Sequence, residues 1–402
     1  MSSRFHVTAE KYETYGDASL GKAYQAGKIT LEDEELIRTF VDEVEATAQT
    51  LSPSRKFKLV CMLTGSRQFL KTPFIDTSIE DLNAAIRDIK SSQEYAQNTK
   101  SDYVRFLKRF MLWMAETERS NIPEKRIKAI KNIPINAMTK TADDMLCEED
   151  IRSIIDHCKT SRDRCFFMML YEGGFRVGEL GNLRWGQINF PKDKDWSMII
   201  NVSDKTGVPR MVPLVMSKPF MVQYMNDMKP SRGKNEYVFL TNRGQPLQYA
   251  GVTKALKLAA REAGVEKHVT PHLFRHSRIT HMIADGMGES IVKAIMWGNQ
   301  STDMLKTYSH ISNDTIMDAV AQRYGIKKPE TREEKKLFEP TQCPDCGTVN
   351  PPGMKFCGIC MNALTQEAKE SLKVTHATVE ETPEYRALLD VMREKVRKEL
   401  MG

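Results

Sequence analysis

At 402 residues the chain exceeds one ordinary domain, so two or three folded units with cores of their own are expected. A hydrophobic fraction of 41% supports that burial, while no apolar run reaches bilayer length, which argues for a soluble chain. The net charge of +6 permits a polyanionic partner without selecting one, since many basic proteins bind nothing in particular. The opening MSSRFHVTAEKYETYGD lacks a basic start followed by an apolar stretch, so no secretory signal is expected.

Residues 1–30 are polar and lack a sustained period, which predicts an N-terminal arm. From 31 to about 135 the apolar spacing is helical. Tyr103, Phe106, Leu107, Phe110, Met111 and Met114 form one stripe, with Thr99 or Ser101 as a candidate cap. Lys100, Arg105, Lys108 and Arg109 fall on the other side of that helix, either as a solvated face or as a surface for phosphates. Proline and polar residues then break the pattern, predicting a linker over 136–146.

A second unit is expected over 147–325. A helix starts near Glu148 and aligns Ile151, Ile154, Ile155 and Cys158. Strand-like DWSMIINV (195–202) and PRMVPL (209–214) flank the turn DKTG, giving a β-hairpin with Lys205 at its tip. Helices resume over 247–263, 273–286 and 288–296. A charged, proline-containing tether (326–340) leads to four cysteines within 341–364. The tail, 365–402, ends in an amphipathic helix capped by Thr382 and Pro383.

Arg176, Lys205, His272, Arg275 and Tyr308 make most sense as one set. Phosphoryl transfer needs an in-line nucleophile, a proton donor for the leaving oxygen, and fixed positive charge on the transition state. Arginine suits the last role, since its planar fork holds two nonbridging oxygens and keeps its charge. Arg176 follows a Gly-Gly turn, and Glu179 lies close enough to orient it. His272 and Arg275 are three apart, so a helix would aim both into one cleft. His276 and His281 read as packing or supporting residues. Tyr308 supplies a phenol that neighbouring cations must activate.

The four boxes GGFRVGELGNLRW (173–185), SDKTGVPRMVPL (203–214), PHLFRHSRITHM (271–282) and WGNQSTDMLKTYSHI (297–311) resemble the tyrosine recombinase (integrase) family across about residues 75–315. The resemblance implies a mainly α protein with a small β-hairpin or sheet (α+β). A helical core-binding domain and a mixed α/β catalytic domain would clamp duplex DNA. Arg176 and Arg275 would hold the phosphate, His272 transfer a proton, Lys205 protonate the leaving 5′ oxygen, and Tyr308 form a 3′-phosphotyrosine without a catalytic cofactor. A homotetramer on two DNA sites would exchange strands through a Holliday junction, in a cytoplasmic, nucleoid-associated setting of a prokaryote, archaea and viruses included. Asn299 stands where the family usually has histidine or tryptophan; it can donate a hydrogen bond but cannot carry charge. Two alternatives stay open: a type IB topoisomerase-like enzyme, and an idle DNA-binding or regulatory protein.

Cys343, Cys346, Cys357 and Cys360 form two CxxC pairs ten residues apart, a spacing that presents four sulfurs to one tetrahedral ion. Zinc is the default for four thiolates without a redox role. The stretch resembles small zinc ribbons, which are not a usual part of the recombinase core. DNA contact, protein contact and a structural plug are its open roles.

Overall fold

The computed structural model describes residues 4–5, 7–47, 51–136, 144–191, 197–203, 208–228, 230, 232–303, 305, 341–350, 354–357 and 360–371. The chain divides into two compact units, residues 1–139 and 140–402. Among the described residues no helix is long and apolar enough to cross a membrane.

The first unit is helical: α1 (Ala9–Gln25), α2 (Leu31–Thr47), α3 (Pro53–Ser66), α4 (Ile79–Ser91), α5 (Gln97–Glu116) and the short α6 (Glu124–Lys128). Residues 9–25, expected in an arm, are an integral helix that packs on α3, with Tyr12 5.8 Å from Phe57. Its three buried residues include the small Gly16 and Ala23 beside Leu20, so the buried face carries little hydrophobic signal. The expected stripe on α5 is buried throughout. That helix starts at Gln97 without a side-chain cap, and Ser101 lies inside it, giving its hydroxyl to the Ile133 carbonyl at 2.8 Å. At the core, Phe110 meets Phe40 and Phe74 edge-on, with ring centroids 5.2 and 4.7 Å away. The buried Asp33 pairs with Arg67 Nε at 2.8 Å and accepts the amides of Phe74 and Thr30. Its charge and lone pairs are therefore met inside the core.

The second unit continues with α7 (Glu148–Asp156), α8 (Ser161–Glu172), α9 (Val177–Gly181), β1 (Ile188–Asn189), β2 (Met198–Ser203), β3 (Pro209–Leu214), α10 (Ser217–Met228), α11 (Tyr249–Glu262), α12 (Pro271–Ala284) and α13 (Glu289–Trp297). Residues 144–146, expected in the linker, are anchored here. Ser277 Oγ accepts the Leu146 amide at 2.9 Å, and Lys267 donates to the Met145 carbonyl at 2.7 Å. Every residue from Cys165 to Glu172 is buried, so α8 is the central helix, flanked by α10 and α12.

The three strands form an antiparallel sheet in the order β1-β2-β3, with Val202 opposite Arg210 and Met198 opposite Leu214. β3 is an edge strand, which tolerates Pro209 and Pro213. The predicted hairpin therefore forms, while its tip (204–207), the 326–340 tether and the 382–400 helix lie outside the described residues. α10 was not expected, and its start explains why. The buried Glu172 carboxylate, 45 residues upstream, accepts the amides of Val215, Met216 and Ser217 and the Ser217 hydroxyl at 2.6–2.9 Å. The N-terminal amides of a helix are here satisfied from a distance.

Candidate active site and cysteine cluster

The Gly173-Gly174 turn that ends α8 organises the site. Gly174 has φ +54°, and a Cβ there would sit 2.4 Å from Met296 Sδ, so any other residue would be strained and would displace Met296. Its carbonyl accepts a hydrogen bond from Arg275 Nη1, while Arg275 Nη2 donates to the Met296 carbonyl at 2.8 Å. Arg275, on α12, is thus fixed between the Gly174 turn and the last turn of α13, only 3% exposed, with Trp297 under its guanidinium at 5.5 Å.

Two residues past Gly174, Arg176 caps α9 and stays 41% exposed at its side chain. Its amide donates to Glu179 Oε2 at 2.7 Å and its Nη1 to Oε1 at 3.0 Å. Glu179 therefore bonds both the amide and the guanidinium of Arg176. The carboxylate has a second partner: Arg210 of β3 forks onto it, Nη1 to Oε1 at 2.8 Å and Nη2 to Oε2 at 2.6 Å. Burial pushes the Glu179 carboxyl up. The bonds and charge of Arg210, the Arg176 amide and nearby Arg275 outweigh it and hold the group below the usual carboxylate range. Among the described residues, two guanidinium groups bond this one carboxylate and a third, that of Arg275, is near enough to act on it through its charge.

His272 and Arg275 do share α12, started by Thr270 and Pro271. His272 is exposed whereas Arg275 is buried, and the His272 ring stands edge-on to His276 at 4.3 Å. His281 is on the same helix, its Nδ1 2.8 Å from the Tyr171 hydroxyl. Asn299 follows Gly298, the left-handed cap of α13. A Cβ at Gly298 would come within 3.1 Å of Arg210 Cβ and the Pro209 carbonyl, so this turn lies directly on β3. The Asn299 side-chain oxygen accepts the Ser301 amide and hydroxyl at 2.9 and 2.8 Å. Leu305 is buried with Ile279, Met282, Val292 and Met296. Lys205 and Tyr308 lie outside the described residues.

Arg210 is the site residue that the motif reading passed over. Its signal was available: in PRMVPL the inward positions Val212 and Leu214 place Arg210 on the same buried face.

On α5, Lys100 donates to the Lys90 carbonyl at 3.3 Å, and Arg105 pairs with Asp102. Arg109 lies over the Phe40 ring at 5.8 Å. Lys108 bonds the carbonyls of Lys128, the last residue of α6, and of Ile130 just past it, an internal use rather than a solvated one. Arg105 and Arg109 remain exposed.

The Sγ atoms of Cys343, Cys346, Cys357 and Cys360 all lie within 4.8 Å of one another. Cys343 lies 3.5 Å from Cys360 and Cys346 3.6 Å from Cys357, contacts that join one pair to the other. A tetrahedron with zinc–sulfur bonds of about 2.3 Å has edges of roughly 3.8 Å, so the donor set fits a metal ion. A two-stranded ladder, β4 (Thr341–Gln342) and β5 (Val349–Asn350), carries the first pair. Both pairs end alike: Gly347 (φ 70°) and Met361 (φ 61°) turn left-handed, their amides returning to the carbonyls of Cys343 and Cys357 at 3.0 and 2.9 Å. Asn350 Nδ2, buried, lies 3.6 Å from Cys357 Sγ.

Residues 144–314 match the phage integrase family. Among curated proteins, the tyrosine recombinase XerD of Listeria innocua is 28% identical over 184 residues, 43% of this chain and 60% of that protein. The tyrosine recombinase XerA of Pyrococcus furiosus is 30% identical over 186 residues, 45% of this chain and 62% of that protein. The chain thus spans about three fifths of the length of these relatives. Among solved structures, a lambda integrase (75–356) dimer bound to a COC' core site aligns with TM-score 0.53 at 14% identity, covering 68% of this chain and 94% of that one. The XerH site-specific recombinase bound to palindromic difH substrate aligns with TM-score 0.51 at 15% identity, covering 79% and 97%. Residues 144–314 are thus similar to the phage integrase family, and the fold is shared with these solved integrase and recombinase structures.

Proposed function

We propose that the protein is a site-specific DNA recombinase that cuts and rejoins duplex DNA through a 3′-phosphotyrosine. The observation that carries this reading is the convergence of Arg176 and Arg275, 99 residues apart in sequence, on one turn. Arg275 is bonded to Gly174, and Arg176 follows two residues later.

In the proposed step the Tyr308 oxygen attacks phosphorus in line, forming the phosphotyrosine bond as the bond to the 5′ oxygen breaks. Lys205 delivers a proton to that oxygen, and His272 transfers the proton of the phenol. Arg176 and Arg275 hold the nonbridging oxygens, where a fixed donor strengthens its bond as charge builds. Asn299 adds an uncharged hydrogen bond. Because the bond energy is kept in the phosphodiester, a 5′ hydroxyl can reverse the step and reseal the strand. Strand exchange by a homotetramer through a Holliday junction follows the same chemistry twice. The lambda integrase tetramer bound to a Holliday junction, TM-score 0.53, supplies the precedent on this fold. The helical unit would grip DNA beside the cut, with Arg105 and Arg109 as its exposed cations and Lys100 beside them.

The four cysteines would bind one zinc ion as thiolates, and the metal would hold the two turns together. The ribbon and tail would serve assembly or target capture rather than chemistry.

The test is a nicked suicide DNA. Wild type should give a covalent adduct stable to detergent, Tyr308→Phe should give none while binding DNA nearly as well, and metal analysis should find about one zinc per chain. A Tyr308→Phe protein that still formed the adduct would reassign the nucleophile. An uncleaved substrate with wild type would favour the idle DNA-binding alternative.

A further inference from the structure

Glu179 poses an electrostatic difficulty for the proposed chemistry. A carboxylate whose side chain is only 7% exposed stands against the guanidinium meant for the phosphate. An ion pair of Arg176 with Glu179 alone is neutral overall, and its anion would offset part of the attraction that its cation exerts on the scissile phosphate. The carboxylate would also compete with the phosphate for the same fork of N–H donors.

The arrangement around Glu179 removes this difficulty. Arg210 is almost wholly buried, with a side chain 1% exposed, and sends both terminal nitrogens to Glu179, one to each oxygen. Each carboxylate oxygen thus takes one bond from Arg210 and one from Arg176. Arg210 Nε is buried without a hydrogen-bond partner, so every polar bond the structure gives this guanidinium goes to Glu179. Among the described residues, two arginines meet one carboxylate, so the cluster carries one net positive charge, and its more exposed member, Arg176, presents it.

The strand that carries Arg210 also touches the other parts of the site. The guanidinium lies 5.9 Å from the centre of the Phe175 ring, next to Arg176 in the chain. Its Cβ lies against Gly298, next to Asn299. Arg210 pairs with Val202 at the base of the hairpin that carries Lys205. We propose that Arg210 is a positioning residue: it neutralises and clamps Glu179, so that Arg176 reaches the phosphate with its charge uncancelled, and it never touches DNA itself.

This inference rests on the recombinase reading, and one experiment separates the two. Adduct formation on suicide DNA is timed at saturating DNA for wild type, R210Q, R210K, E179Q and the double variant E179Q/R210Q, with each melting curve recorded. R210Q is expected to cleave about 10²-fold more slowly at unchanged DNA affinity. R210K keeps the charge but loses the fork and should fall between R210Q and wild type. The decisive arm is the double variant: removing the carboxylate removes the need for Arg210, so E179Q/R210Q should cleave about tenfold faster than R210Q, a rescue that a merely structural arginine would not give.

R210Q cleaving at the wild-type rate, or a double variant no faster than R210Q, would overturn the inference while leaving the recombinase reading intact. If R210Q does not fold, a folded and active double variant still supports the charge argument, and a double variant that is unfolded or inactive overturns it. Absence of adduct with wild type removes both readings together.

Discussion

The two units each bury a carboxylate against an arginine, and the difference between the two pairs separates structure from chemistry. In the helical unit Asp33 meets Arg67 one to one, at 1% and 9% side-chain exposure, and the remaining lone pairs of Asp33 go to backbone amides. Charge cancels there, and nothing is left to offer a ligand. In the second unit Glu179 is met by Arg210 and by Arg176, with Arg275 close enough to shift its titration. The second pair is overfilled with cation, and one of those cations reaches solvent. A balanced buried pair fixes a fold, whereas an unbalanced one with an exposed member is a place for an anion.

Breaking the balanced pair should have the largest effect on stability and a small one on chemistry. Arg67→Ala leaves Asp33 buried without its cation, which typically costs about 3–5 kcal/mol. Denaturant titration should show the helical unit unfolding much earlier, while adduct formation per folded molecule changes little. If Arg67→Ala slowed cleavage as deeply as a site arginine does, the distinction between the two pairs would fail.

The next largest effect should come from the unbalanced cluster, and it should be kinetic. Arg176→Ala and Arg275→Ala should each slow cleavage by about 10²–10³ for the loss of one transition-state donor. The two should differ in stability. Arg275 is buried and joins the Gly174 and Met296 carbonyls, so its loss leaves both acceptors unmet and should lower the melting temperature, while exposed Arg176 should leave it nearly unchanged. Equal melting shifts in the two variants would mean that Arg275 is not the internal tie described above.

A smaller effect, in pH, sharpens the same contrast. Glu179 titrates below its ordinary value in the folded state. Its stabilising share is therefore fully present above about pH 4.3, the usual glutamate value, and is lost as pH falls from there through the depressed folded value. His281 acts in the same sense at higher pH: burial and the Arg278 charge hold it below its usual value, so stability declines as pH drops below about 6.5. Urea midpoints for wild type and E179Q should converge as pH falls from about 5 to about 3. Parallel curves would mean that Glu179 is not held ionised by its arginines.

The smallest test lies in the cysteine cluster. Met361 occupies a left-handed position that its counterpart Gly347 fills freely. Met361→Gly should relieve roughly 1 kcal/mol of backbone strain and raise apparent zinc affinity by about fivefold. An unchanged affinity would show the second turn to be insensitive to that residue.

Much of this was legible in the chain itself, for a physical reason in each case. The α5 stripe, the α7 face, the two strands and the CxxC pairs are all local patterns, in which spacing along the backbone sets direction in space. Glycine at 174 could be suspected from the GGFR run, because a left-handed turn favours it. By contrast α1 was missed because its buried face is made of small residues, and α10 because its cap comes from Glu172. Of the four α5 cations, charge pattern alone could not separate Lys108, turned onto carbonyls of its own unit, from the exposed Arg105 and Arg109.

By itself, the sequence determined which residue types were available for phosphodiester chemistry and metal binding, and at what local spacing, since periodicity and turn chemistry act over a few residues. Only the tertiary structure decided how those groups share charge. Arg210 comes from a strand, Glu179 from a short helix and Arg275 from a helix about a hundred residues further on. Their mutual bonds depend on separations in space, which packing sets and which no local pattern encodes.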